Sequence, residues 1–215
     1  MKMRGATLKR VRPWAITTGL CLILTSRAFG QVHDRFEDWC DSLRNATSPD
    51  LAQFLNAVVP DEENAKCITW AIQKVGIDHY EPAITALVRL LDFRRPLDER
   101  EKKGFYLRLQ GIWEIYPAAA ALSSMGQKAV PFALEVIKSE SVSSTSRENA
   151  VFVLMEIHRE SDDQPKGVAL LKHEESDAKE EKIKQRLKWA VQKALSYCNP
   201  TEQAACRQAA ATGAP

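Results

Sequence analysis

Residues 117–138 read Pro117-Ala118-Ala119-Ala120-Ala121-Leu122-Ser123-Ser124-Met125-Gly126-Gln127-Lys128-Ala129-Val130-Pro131-Phe132-Ala133-Leu134-Glu135-Val136-Ile137-Lys138. Pro117 is pre-set for a first helical turn, and the Ala-rich run behind it has high helix propensity. Gly126 predicts the stop, since glycine adopts the left-handed conformation that ends many helices. Lys128 to Lys138 then predicts a second helix, with Val130, Leu134 and Ile137 on one face. The pattern recurs on either side. Ala83-Ile84-x-x-Leu87-Val88-x-Leu90-Leu91 stands 46 residues before Ala129-Val130-x-x-Ala133-Leu134-x-Val136-Ile137. The preceding helices match in kind, Ala71-Ile72-x-x-Val75-Gly76 with Ala121-Leu122-x-x-Met125-Gly126 and with Val153-Leu154-x-x-Ile157. Ala150-Val151-x-x-Leu154-Met155 has a last counterpart 40 residues on, in Ala190-Val191-x-x-Ala194-Leu195. Self-similarity at such a period predicts a helical repeat array.

The stretch from Pro117 to Pro131 resembles the HEAT-repeat consensus, in which an Ala-rich first helix ends at Gly and a second opens Ala-Val-Pro. Arg147-Glu148-Asn149-Ala150-Val151-Phe152-Val153-Leu154 is similar to the first helix of a following repeat. The resemblance covers residues 61–197, interrupted at 93–116, and lacks the Asp-x-x-x-Arg linker residues common in the family. It implies an all-α solenoid of three to four antiparallel helix pairs, behind an N-terminal helical cap over 31–60 and ahead of a C-terminal hairpin and tail over 198–215. HEAT arrays are binding scaffolds without shared catalytic residues, so only fold and binding style are implied. A generic antiparallel helix bundle is the competing architecture.

Composition agrees with helices. Among 215 residues there are only 9 Gly and 10 Pro, too few for a chain turning every few residues, while 45% are hydrophobic. The formal charge of +2 is misleading. Lys2, Arg4, Lys9, Arg10, Arg12 and Arg27 fall in the first 30 residues with no acidic partner, so the remainder holds 24 cations against 28 carboxylates. That removes the support for nucleic-acid binding by a generally basic protein and leaves only a local patch open.

Those first residues have the tripartite plan of a secretory signal: a basic start to Arg12, an apolar run from Ala15 to Leu24, and small residues at Ala28 and Gly30. The run is half the length of about 20 residues that a spanning helix needs, so no permanent membrane span is expected in the mature chain. Cleavage is expected after Gly30, with Ala28 as the near alternative, placing the protein in the periplasm or outside the cell. Export leaves Cys40, Cys67, Cys198 and Cys206, an even set in a compartment where disulfides persist. Of the three pairings, closeness favours Cys198 with Cys206 across Asn199-Pro200, and therefore Cys40 with Cys67.

Further helices follow from 3.6-residue spacing. Val32, Phe36, Trp39, Cys40 and Leu43 share a face over 32–43, and Ser48-Pro49-Asp50 reads as a capped start for Leu51 to Val59. Asp61 to Val75 ends at Gly76, Glu81 to Asp92 follows, and Ser139 to Ser146 is a turn before Arg147 to His158. Asp162-Asp163 opens a shorter helix through Leu171, and a charged helix runs from about Asp177 to Tyr197.

Chemistry is harder to find. The chain has no Gly-rich phosphate loop, no Gly-x-Ser-x-Gly and no His-Glu-x-x-His. His173 and Asp177 lie four apart among Lys172, Lys179, Glu180 and Glu181, which reads as a solvated junction, and His33 with Glu37 lacks a third ligand. The acidic face from Asp34 to Asp41 reads as solvated. His79 falls in a turn, and His158 at a helix C-terminus, where a partly positive imidazole favours the dipole. No catalytic residue, metal or cofactor is expected. The interruption at 93–116 stands out, since long irregular connections in compact arrays are uncommon and often functional. Gln110-Gly111 permits a hairpin between Phe105–Leu109 and Ile112–Tyr116, but the same residues fit a helix, and helix or irregular structure is favoured. Arg94, Arg95, Tyr106, Trp113 and Tyr116 are the residue types enriched at interface centres, and are the expected contact to a protein partner. The competing function is a small enzyme or ligand-binding module sited at the same insertion.

Overall fold

The computed structural model describes residues 40, 43, 45–97, 101, 111–161 and 163–214. Residues 1–30, where a leader is expected, most of the segment 32–43, Tyr106 and the arm Phe105 to Gln110 lie outside the described residues. Among those described there are ten α-helices and two 3-10 segments, with no strand, so the protein is all-α.

The first helix, α1 (Ser48–Ala57), is capped one residue earlier than the sequence suggested. Thr47 donates to Asp50 Oδ2 from both its backbone N–H, at 3.0 Å, and its hydroxyl, at 2.5 Å. Ser48 is thereby freed from capping, and its hydroxyl donates to the carboxylate of Asp78 instead. The other end of α1 is closed by Arg89, whose Nη2 donates to the carbonyls of Leu55, Asn56 and Val58. A cation placed there complements the partial negative charge of a helix C-terminus.

Helix α2 (Ala65–Ile77) leads through a 3-10 turn, Glu81–Ala83, into α3 (Ile84–Arg89). Gly76, expected to end α2, instead lies inside it, and the left-handed residue that ends the helix is His79, at φ 48°. Among the described residues of the interruption, Glu101 is helical, Ile112–Ile115 forms a short helix, α4, and Phe93 to Leu97 is irregular. Next come α5 (Pro117–Ser124), a 3-10 turn over Gly126–Ala129 and α6 (Val130–Lys138), much as the opening stretch predicts. Ser143 caps α7 (Ser144–Glu160) by accepting from the Ser146 N–H at 3.0 Å.

Helix α8 (Gln164–Asp177) is longer than expected, because the polar residues from Lys172 to Asp177 extend it. His173 and Asp177 thus face each other on an exposed turn of α8, 3.3 Å apart, and not at a junction. Helix α9 (Glu181–Leu195) and helix α10 (Gln203–Thr212) complete the fold.

The helices pack as two rows. One runs α2 to α5 to α7 to α8 to α10, and the other α3 to α6 to α9, while α1 packs against both α2 and α3. The recurrent sequence pairs Ala71-Ile72, Ala121-Leu122, Val153-Leu154 and Ala190-Val191 are all buried. A single apolar cluster extends from Leu51 to Ala209. Each large side chain sealed within it contributes roughly 1.5–3 kcal/mol through loss of contact with water.

Two disulfides reinforce the ends. Cys40 bridges to Cys67 on α2, and Cys198 bridges to Cys206 on α10. The second is backed by Gln164, buried at the start of α8, whose amide donates to Tyr197 O at 3.1 Å and accepts from the Asn199 N–H at 2.7 Å. No helix among the described residues is long and apolar enough to cross a membrane.

Candidate interaction surface

The interruption places its residues unequally. Arg95, expected in the partner contact, is a part-buried strut with a side chain 10% exposed. Both of its terminal nitrogens donate to the Glu101 carboxylate, Nη1 at 2.7 Å, while its Nε donates to Glu114 O and its backbone N–H to Ile115 O. A fork of donors on a short loop is used here to hold α4 in place. Arg94, its neighbour, is exposed, and Tyr116 is half-buried against the core. Tyr106 lies outside the described residues.

Trp113 is the part of α4 that reaches the surface, at 46% exposed. Its ring crosses Gly111 so closely that a Cβ there would come within 2.6 Å of Nε1, so the glycine makes room for the indole. The ring meets Phe152 of α7 edge-on, with centroids 6.3 Å apart, and Phe152 in turn meets Tyr197 edge-on at 5.6 Å. Edge-to-face contacts set the positive rim of one ring against the negative face of the next. A row of three aromatics therefore joins α4, α7 and the end of α9.

Charge flanks the row on both sides. The Arg159 guanidinium carbon lies 5.4 Å from the centroid of the Trp113 ring, and Lys193 Nζ lies 5.5 Å from that of Tyr197. Each cation is held by a carboxylate of α7, Arg159 by Glu156 and Lys193 by Glu148 at 2.5 Å. Burial raises the Glu156 pKa above its ordinary value, partly opposed by Arg159. Burial, followed by the nearby Glu148 carboxylate, holds the Tyr197 hydroxyl firmly protonated.

The spacing placed Phe152 in the helix from Arg147 to His158 and left Arg159 just beyond it, and linked neither to Trp113. They are seven apart and so share a helix face, which is the one local signal that could have linked them. Tyr197 had no such signal. His158 is also placed differently from the dipole-facing ring expected. It is buried, only 7% exposed, and desolvation pulls its pKa down, favouring the neutral ring. Among the described residues no group of three or more His, Cys, Asp or Glu is placed to hold a metal ion.

Compared with known protein families, with curated proteins and with solved structures, the chain has no significant match.

Proposed function

We propose that this protein is an exported, non-enzymatic scaffold, built of HEAT-like helix pairs, that binds a protein partner through the aromatic row beginning at Trp113. The observation that carries the reading is the half-exposed indole, braced by Phe152 behind it and Arg159 beside it. A rigid aromatic anchor of this kind loses little conformational freedom on binding, and Trp and Arg are enriched where interface energy concentrates. The two-row packing supports a solenoid, and the leader-like start of the sequence together with two disulfides supports export.

The test compares the full chain with Trp113→Ala and Arg94→Ala as bait in native envelope extract. Trp113→Ala is expected to lose the partner retained by the unsubstituted chain, and Arg94→Ala to weaken its retention, each with a nearly unchanged melting temperature. Retention of the same partner at undiminished yield by Trp113→Ala would remove the aromatic row from the site.

A further inference from the structure

A groove between α7 and α9, of about 370 Å³, is lined by Ser144, Arg147, Lys182, Gln185, Arg186 and Trp189. It belongs to neither the aromatic row nor the sequence interruption. Its charge is poorly compensated. Lys182 pairs with Glu140 at 3.1 Å, and that carboxylate also feels Arg186, but among the described residues neither Arg147 nor Arg186 forms an ion pair. Lys182 and Arg186 thus share one carboxylate, and among the described residues Arg147 pairs with none.

Hydrogen bonding is incomplete as well. Arg147 Nη2 donates to Ser139 O at 2.8 Å, yet the Nε atoms of both Arg147 and Arg186 are buried without a partner. Buried donors are almost always satisfied in folded proteins, because leaving one unpaired forfeits its hydration. The two guanidiniums also repel one another: burial first, and Arg186 second, lower the Arg147 pKa. Folding alone gains nothing from this arrangement. An anion in the groove would pair with the guanidiniums that line it and cancel the repulsion.

The groove's apolar wall narrows the class of anion. Trp189, 40% exposed, supplies an indole surface that a bare inorganic anion would leave uncovered, and the volume is in the range of sites for larger ligands. We infer that the α7–α9 groove is a docking site for an acidic peptide segment of a protein partner, whose carboxylate engages Arg147 and Arg186 while its backbone covers Trp189. Guanidinium and carboxylate match as planar forks, which gives direction as well as attraction. The inference goes beyond the aromatic row and holds whether or not that row binds.

The probe is a fluorescently labelled Glu-rich peptide titrated with the full chain and read by polarisation. Saturable binding is expected, lost in the analogue with Gln at every Glu and weakened about tenfold or more by Arg186→Gln, the loss of one charge-assisted contact. Arg186→Gln should melt no lower than the unsubstituted chain, since it removes a like-charge neighbour. Lys182→Gln, on an exposed side chain, gives a second reading with a smaller loss, and Arg94→Gln, on the other surface, should change nothing. Equal binding of the Gln analogue, unchanged affinity in both groove variants, or full competition by inorganic phosphate at matched ionic strength would each overturn the assignment.

Discussion

The joint after α2 and the joint after α5 perform the same task with different residues. Both turn a first helix through a 3-10 segment into a second, and in both the chain passes through one left-handed residue. After α5 that residue is Gly126, at φ 63°, with open space where a Cβ would stand. After α2 it is His79, three residues beyond Gly76, and the helix ends at Ile77 and not at Gly76, the residue that matches Gly126 in sequence. The His79 N–H bonds to Gly76 O at 3.1 Å and the Tyr80 N–H to Val75 O at 2.9 Å, the paired bonds of a Schellman ending. His79 tolerates its unusual φ with added support, its Nδ1 lying 2.7 Å from Ser124 O at the end of α5.

Gly76 is released from ending the helix and used for packing. A Cβ on it would stand 2.8 Å from the Ala121 Cβ and 3.0 Å from the Ala121 Cα, so α2 and α5 approach closely at this point. Ser124 seals the contact by donating its hydroxyl to Gly76 O at 3.0 Å. Equivalent glycines in a repeated sequence can therefore have unrelated duties: one needs freedom at φ, the other needs the absence of a side chain.

Gly76→Ala is the substitution that should separate the two most sharply. The added methyl meets backbone that cannot yield, so despite alanine's better helix propensity we expect a net loss of about 1–3 kcal/mol by denaturant unfolding. Ala121→Gly in the same chain should recover part of that loss. Gly126→Ala should cost less, about 1 kcal/mol, because the strain of a left-handed alanine is the whole effect and no neighbour is struck. A larger loss at Gly126 than at Gly76 would reverse the division of roles.

A third glycine extends the contrast to pH. Gly167 of α8 faces the ends of side chains, with His158 Cδ2 at 3.0 Å from its notional Cβ, and this close cover is what buries the imidazole. The folded-state pKa of His158 lies below its ordinary 6.5, so between the two values the unfolded chain holds the extra proton and stability rises with pH. The contribution of the neutral ring is fully present above 6.5 and is lost as pH falls through the lowered value. Unfolding titrations should show this as a slope of at most about 1.4 kcal/mol per pH unit, the limit for one proton, that His158→Gln removes. Glu156 slopes the other way, its raised pKa favouring the fold at lower pH, so the difference between the two proteins is the informative quantity. The smallest effect belongs to His79→Gly. It gains relief of the left-handed strain and loses the Ser124 contact, and should leave stability within about 0.5 kcal/mol.

Helix identity, the buried stripe and the all-α class were legible along the chain, because apolar spacing is a local property and each stripe needs only to face inward. Pairs such as Ala71-Ile72 and Ala190-Val191 are buried as their spacing required. The cysteine pairs were legible too, since closeness across a Pro-containing turn limits where a sulfur can reach. Tertiary structure decided the rest. It set α9 against α6, enclosed Arg95 with Glu101, gave Gly76 to a helix contact, and drew Trp113, Phe152 and Tyr197 into one row. Periodicity says that a face is covered but not which face covers it, and these contacts depend on the meeting of surfaces that lie far apart in the chain.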